Sequence, residues 1–287
     1  MIDVEILGPL VLRVQGRAAR LGPMQRALVV SLACADGYTL AATALERRLW
    51  ENPPPGAADT LRSHVAHVRD AIRRAAEPAD PSLGRWLLVT EKAPGGASYR
   101  LRLSPGDVDT TVFGQLIRAG QVALRLDRFG QAAGHFRDAL AMWRGRPLAD
   151  VAHLPFARAH VAHLRNLRTS ALLGRIEADI WSGHYREVIG ELQALAADRP
   201  DDTTIPRLLA TSLYLSERLA EAALVCQQAI VGLQAHGLDA GPMEELQHQV
   251  LNRTLPRRGL PGHSPLRARL TPGRASVVRT PGLSPGQ

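Results

Sequence analysis

One stretch of the sequence, from Arg62 to Arg74, combines four arginines with a serine and two histidines. A guanidinium group can donate two hydrogen bonds to O6 and N7 of guanine or bind a phosphate, and serine and histidine can bind base edges. Apolar residues recur every three or four positions through the same stretch, which predicts a helix with an apolar stripe on one side and a polar, mostly basic face on the other. The stripe consists of Leu61, Val65, Val68 and Ile72. The residues predicted to contact a major groove are Arg62, Ser63, His67, Arg69, Arg73 and Arg74.

Short elements that could position this helix lie on both sides of it. The predicted strands are 4–7 and 10–14 before it and 86–90 and 98–103 after it, and the predicted helices are 24–35, 42–50 and 57–76. Two strands that follow a third helix form a hairpin, and this order is typical of a winged helix. Arg26 near the start of the first helix, with Lys92 and Arg100 on the hairpin, is a candidate for contacts with the DNA backbone.

Beyond Val112 the pattern changes to long amphipathic helices joined by short turns, up to about Leu251. The turns at Gly183-His184 and Glu217-Arg218 resemble each other and lie 34 residues apart, which is the tetratricopeptide (TPR) period. Asp127-Arg128 carries a similar turn earlier in the chain. Four aromatic residues are predicted to belong to the core of these repeats, with a ligand cage as the alternative. They are Trp143, Phe156, Trp181 and Tyr185.

The net charge of +8 is distributed unevenly. The segment 253–287 has seven arginines and no acidic residue, so the remainder is close to neutral and its basic patches must be argued residue by residue. This segment is rich in Pro and Gly without periodicity, which predicts disorder. Two interpretations stay open for it: binding of DNA phosphates without sequence preference, or a solubilising end.

Several classes of site are disfavoured. The two cysteines, Cys34 and Cys226, are far apart and fit buried thiols better than a disulfide or a redox pair. His64 and His67, like His160 and His163, lie one helical turn apart, but no further ligands for a metal accompany either pair. Nucleotide-binding and hydrolase motifs are absent from the sequence, so neither a cofactor nor catalysis is expected. The sequence shows no signal peptide and no long apolar span, which predicts a cytoplasmic, nucleoid-associated protein with no membrane partner.

The motifs from residue 2 to 251, taken in order, resemble those of the Streptomyces antibiotic regulatory protein family. In the first part the matching pieces are Leu7-Gly8-Pro9-Leu10, Gln25-Arg26-Ala27-Leu28, Leu49-Trp50, Pro53-Pro54 and the stretch 61–72. In the second part they are Trp143-Arg144-Gly145, Leu148-Ala149-Asp150, Leu154-Pro155-Phe156, Ile176-Glu177-Ala178-Asp179, Gly183-His184, the stretch 210–214 and Gly237-Leu238-Asp239. The family usually has bases where this chain has His67 and Asp70, so we expect His67 to bind DNA best when protonated, in mild acid.

The resemblance implies a mainly α, two-domain protein: an OmpR-like winged helix-turn-helix of α+β type over 1–106 and an all-α, TPR-like bacterial transcriptional activation domain over 107–252, followed by the tail 253–287. It also implies a transcriptional activator of a secondary-metabolite (antibiotic) gene cluster. Such an activator would bind direct repeats in double-stranded promoter DNA, self-associate there and recruit RNA polymerase holoenzyme. The alternative is a TPR-type protein-interaction module whose winged helix no longer binds DNA specifically.

Overall fold

The computed structural model describes residues 2–76, 82–93, 96–199 and 202–255, with Ala93 described by its backbone alone. The strands are β1 (Ile2–Glu5), β2 (Val11–Val14), β3 (Arg17–Ala18), β4 (Leu40–Ala41), β5 (Leu88–Ala93) and β6 (Gly96–Leu101). The helices are α1 (Pro23–Ala33), α2 (Ala42–Leu49), α3 (Ala57–Ala75), α4 (Leu83–Leu87), α5 (Asp109–Arg125), α6 (Phe129–Ala141), α7 (Pro155–Trp181), α8 (Ile189–Asp198), α9 (Thr204–Leu215), α10 (Leu219–Ala235) and α11 (Gly241–Leu251). The predicted tail lies outside the described residues, apart from its first three positions.

Contacts divide the chain into two compact units, of which only the described residues are discussed. The first contains 1–124 and 128–188, and the second contains 125–127 and 189–287. The predicted boundary at residue 106 therefore falls inside the first unit, where the winged helix and the helices α5 to α7 are packed together.

The first unit begins with two small antiparallel sheets around three helices. One sheet has the order β1-β2-β3, and the other has the order β4-β6-β5. The four apolar residues predicted to form the stripe of α3 are all buried, which confirms that this side of the helix faces the core. Helix α1 contributes Leu28, Val29 and Leu32 to the same core. Burial of these side chains is the main stabilising contribution expected for a unit of this size.

Two strands have bounds that differ from the predicted ones, because other local contacts replace sheet pairing at their ends. The run 86–90 divides, because Trp86 and Leu87 end α4 and only Leu88 starts β5. A short apolar run cannot distinguish these two states by its periodicity. The predicted strand 4–7 ends at Glu5, since the backbone N–H groups of Ile6 and Leu7 bind a side chain instead of a strand.

That side chain is Asp109, at the start of α5. Its carboxylate accepts hydrogen bonds from the N–H groups of Ile6 and Leu7, each at 2.8 Å. Burial raises the pKa of Asp109, although the hydrogen bonds from Leu7 and Ile6 and the charge of Arg144 oppose this shift. Asp109 thus joins the N-terminal segment of the winged helix to the first helix of the helical part.

A second connection between these parts uses three of the motifs that carry the family resemblance. The N–H of Arg144 donates to the carbonyl of Leu7 at 2.9 Å, and the N–H of Leu10 donates to the carboxylate of Asp150 at 2.5 Å. Gly8 favours this approach, because a Cβ there would lie only 3.0 Å from the Cβ of Arg144. The Leu-Gly-Pro-Leu and Trp-Arg-Gly motifs are therefore two sides of one packed junction.

Close helix packing continues through α5, α6 and α7. Phe136 of α6 is fully buried between Gly120 of α5 and Gly174 of α7. A Cβ at Gly120 would come within 2.8 Å of the Phe136 ring, and one at Gly174 within 2.6 Å. Both positions must be glycine for the ring to fit.

The predicted repeat turns share one backbone geometry. Asp127, Gly183 and Glu217 each adopt a left-handed conformation, with φ of 55°, 95° and 65°. The following residue in each case donates its N–H five positions back, to Ala123, Asp179 and Leu213. This is a helix C-terminal motif that favours glycine. Glu217 accordingly keeps the turn at a conformational cost.

The four aromatic residues predicted for the repeat core are only half-buried. Trp143 makes an edge contact with Phe113, at 5.4 Å between ring centroids, and Arg168 lies 4.8 Å above its ring. Fully buried aromatic side chains come instead from Phe113, Phe136 and Tyr214. Among the described residues, no helix is long and apolar enough to cross a membrane.

Candidate nucleic-acid interface

The polar face of α3 is open to solvent over most of its length. The exposed residues of this face are Asp59, Arg62, Ser63, Ala66, His67, Arg73 and Arg74. They include five of the six residues predicted to enter a groove. We call this set the α3 face. Its exposure and its basic character suit the major groove, which admits an α-helix.

Arg69, the sixth predicted residue, is half-buried and is used to hold the hairpin. Its Nε and Nη2 donate to the carbonyl of Leu88, at 2.9 and 2.7 Å, and Nη2 also donates to Oγ1 of Thr90 at 2.7 Å. These bonds satisfy most of the donors of one guanidinium group. We therefore assign Arg69 to the positioning of β5 beside α3.

Helix α4 fixes the other edge of the α3 face. Gly84 packs so closely on α3 that a Cβ there would lie 2.3 Å from the carbonyl oxygen of Arg69. The exposed Arg85 of α4 and Arg73 of α3 line the same cavity of about 230 Å³. Arg85 was not among the candidate residues, because it lies between the helix predicted over 57–76 and the strand predicted over 86–90. It adds a cation where a phosphate of a bound duplex could lie.

Acidic residues partner three of the arginines on the α3 face. Arg62 pairs with Asp59, and Arg73 pairs with Asp70. Arg74 contacts the same Asp70 carboxylate at 2.8 Å. The hydrogen bond from Arg73 and the charge of Arg74 lower the pKa of Asp70, which keeps it ionised at neutral pH. The arginines are thus held in place and partly neutralised until another anion competes for them.

The hairpin places its two predicted basic residues differently. Lys92 is exposed on β5, opposite Ala97 of β6. Arg100 is half-buried on β6 and its Nη2 lies 2.8 Å from the Glu91 carboxylate on the neighbouring strand. Lys92 therefore extends the basic surface toward the tip, whereas Arg100 stabilises the strand pair. The tip itself, at Pro94-Gly95, lies outside the described residues.

Arg26 is placed at the junction rather than beside the α3 face. Its Nη1 lies 3.0 Å from the Asp150 carboxylate and 3.3 Å from the carbonyl of Leu10. Its Nε donates to the carbonyl of Leu21 at 3.1 Å. Arg26 thus has three hydrogen-bond partners within the protein, and its positive charge is paired with the carboxylate of Asp150.

His64 packs beneath the α3 face, where its Nδ1 is buried without a hydrogen-bond partner among the described residues. Its ring lies 6.5 Å from the rings of both Trp50 and His67. Burial, followed by the charge of His67, lowers the pKa of His64. The folded protein therefore favours the neutral imidazole.

This pKa shift predicts a loss of stability in acid. A histidine whose pKa is lower when folded binds more protons when unfolded, so its contribution is lost as pH falls below the unfolded value of about 6.5. We expect the midpoint of thermal unfolding to fall less between pH 7.5 and 5.5 in His64→Gln than in the wild type. Differential scanning calorimetry at both pH values, with the exposed His153→Gln as control, checks this. An equal decrease in all three proteins would refute it.

The comparison with known proteins starts from the helical part. Residues 108–251, about half of the chain, match the family described as the bacterial transcriptional activator domain. The chain belongs to the Streptomyces antibiotic regulatory protein family. This assignment confirms the resemblance and the mainly α fold with a winged helix at its start.

The alignments with individual relatives cover most of the chain. The chain is 31% identical to the transcriptional regulatory protein EmbR of Mycobacterium tuberculosis over 256 aligned residues. These residues make up 88% of this chain and 64% of EmbR. It is 29% identical over 252 residues to the regulatory protein DnrI of Streptomyces peucetius, covering 86% of this chain and 90% of DnrI. The regulatory protein AfsR of Streptomyces coelicolor is 32% identical over 250 residues, but these make up only 24% of AfsR.

A solved structure of the same family has a similar fold. The structure of Mycobacterium tuberculosis EmbR in complex with a low-affinity phosphopeptide superposes with a TM-score of 0.77 at 30% identity, over 90% of this chain and 66% of that one. The chain thus spans about two thirds of EmbR. These relatives are named as regulators of transcription.

Proposed function

We propose that this regulator binds promoter DNA in a sequence-specific manner and activates a secondary-metabolite gene cluster. The α3 face carries this proposal, because it is the exposed basic helix surface that the hairpin and α4 flank. Ser63, Ala66 and His67 occupy its centre, where base edges would lie, and Arg62, Arg73 and Arg74 lie at its ends. In this arrangement the central side chains select bases and the outer arginines bind phosphates.

The further parts of the proposal rest on the family resemblance. The winged helix, 1–106, would bind direct repeats, with copies of the regulator associating along the duplex. The helical domain, 107–252, would recruit RNA polymerase holoenzyme. The junction at Asp109 and Asp150 supports this division of labour, because it fixes the winged helix to the first helices of the activation domain.

The proposal predicts separate effects for the two kinds of arginine. In Arg62→Ala the loss of one phosphate contact should weaken binding to promoter DNA roughly tenfold and reduce the salt slope of log K by about one. In Arg69→Ala the hairpin loses its attachment, so affinity and the thermal unfolding midpoint should both decrease. Fluorescence anisotropy of the full chain, with duplexes from the promoters of neighbouring genes, measures the affinity.

Arg165→Ala is the matched control, because Arg165 is an exposed arginine on α7. Its affinity should equal that of the wild type at each salt concentration. If Arg62→Ala binds as tightly as this control, the α3 face does not contact DNA. That result would favour a protein-interaction module.

A further inference from the structure

A cavity of about 330 Å³ opens in the first unit, where the end of α1 meets α5 and α7. The winged helix contributes its inner wall through Cys34, and α5 contributes Thr110, Thr111 and Arg118. His160 and His163, one turn apart on α7, complete the opposite wall. The cavity has the volume of sites that bind small molecules, and such sites often lie where two domains meet.

Three basic side chains, Arg118, His160 and His163, line this cavity together with one acid, Asp36. Arg118 makes no ion pair among the described residues, and both Arg118 and Asp36 are exposed to solvent. Burial, followed by the positive charges of Arg48 and His163, lowers the pKa of His160.

Cys34 does not offset this charge. Its burial raises the pKa of the thiol to about 12, even though Arg48 acts in the opposite direction. The thiol is thus neutral at physiological pH and adds no negative charge to the lining of the cavity. Thr110 and Thr111, whose hydroxyl groups can donate hydrogen bonds, also line the cavity.

We propose that this cavity binds a compact small-molecule anion, bearing carboxylate or phosphate groups, between Arg118 and the two α7 histidines. Arg118 supplies the permanent charge and planar donor geometry that suit both oxyanions. His160 and His163 donate from the opposite wall, and the threonine hydroxyls bind the remaining oxygens. Occupancy joins α5 and α7 to the end of α1, so the ligand stabilises the contact between the winged helix and the activation helices.

The test uses the full chain with citrate and inorganic phosphate as separate probes, at matched ionic strength and without DNA. At concentrations far above the dissociation constant, we expect at least one probe to raise the thermal unfolding midpoint by about 5 °C. Isothermal titration calorimetry should then show an affinity at least tenfold weaker in Arg118→Gln. The probe with the larger effect identifies the preferred oxyanion.

Two matched variants distinguish this cavity from other basic surfaces. Arg158→Gln changes an exposed arginine on α7 that does not line the cavity, and Arg73→Gln changes the α3 face. Both should keep the affinity of the wild type. The proposal is overturned if neither probe shifts the midpoint, or if Arg118→Gln responds as the wild type does. Because DNA is absent, neither result bears on the DNA-binding proposal.

Discussion

Replacing Asp109 by alanine is expected to lower the free energy of unfolding by about 2–4 kcal/mol. The carboxylate accepts hydrogen bonds from the N–H groups of Ile6 and Leu7 at the junction. Without it, both groups lose their partner in a part-buried place, and each such loss costs about 1–3 kcal/mol. Urea unfolding followed by circular dichroism measures the effect, provided that a single transition is observed.

Two variants separate the hydrogen bonds from general effects of the substitution. Asp109→Asn keeps an acceptor oxygen, so its loss of stability should be smaller than that of Asp109→Ala. Asp107→Ala removes a neighbouring carboxylate that accepts a hydrogen bond from the N–H of Ser104 at an exposed turn. This variant should lower the free energy of unfolding by less than about 1 kcal/mol. Equal losses in the Asp109 and Asp107 alanine variants would show that the junction does not depend on Asp109.

Replacing Asp70 by asparagine should tighten binding to DNA of any sequence roughly tenfold at 0.1 M salt. The reason is that each added phosphate contact contributes about 0.9 to the slope of log K against the logarithm of the salt concentration. The change frees Arg73 and Arg74 from the carboxylate that pairs with both. It also removes a negative charge next to the α3 face. Anisotropy titrations against promoter and unrelated duplexes at several salt concentrations measure the change in affinity and slope.

The chain offers a matched control for this charge effect. Glu221 forms an exposed pair with Arg218 on α10, at 2.6 Å and with the same spacing of three residues as Asp70 and Arg73. Glu221→Gln changes the net charge by the same amount away from α3. If it tightens binding as much as Asp70→Asn does, the gain comes from overall charge and the α3 face has no special role.

The sequence was sufficient to predict which side of α3 is buried, because a stripe of apolar residues at helical spacing has one solution in a small domain. It also predicted the hairpin after α3 and the repeat turns. Periodicity assigns a residue to a face, however, and does not identify its partner. Arg69 lies at the edge between the buried and exposed sides of α3. Its hydrogen bond to the carbonyl of Leu88 depends on where the hairpin lies in the folded chain.

Partners that are distant in sequence were beyond prediction for the same reason. Arg26 binds Asp150, which is 124 positions away, so its sequence neighbourhood suggested only a surface base. The strands β3 and β4 have two residues each, too few for alternation to be visible. Helix α4 depends on the close approach of Gly84 to Arg69, a tertiary contact that its five residues do not encode by themselves.

The measurement that tests the central claim most directly is site-specific crosslinking from the α3 face to DNA. Ala66→Cys, carrying a short photoactivatable group, should crosslink to bound promoter DNA, whereas Ala159→Cys on the exposed surface of α7 should not. Burial raises the pKa of both native thiols, Cys34 and Cys226, which limits their labelling. Binding without a crosslink from position 66, or equal crosslinking from position 159, would contradict the account.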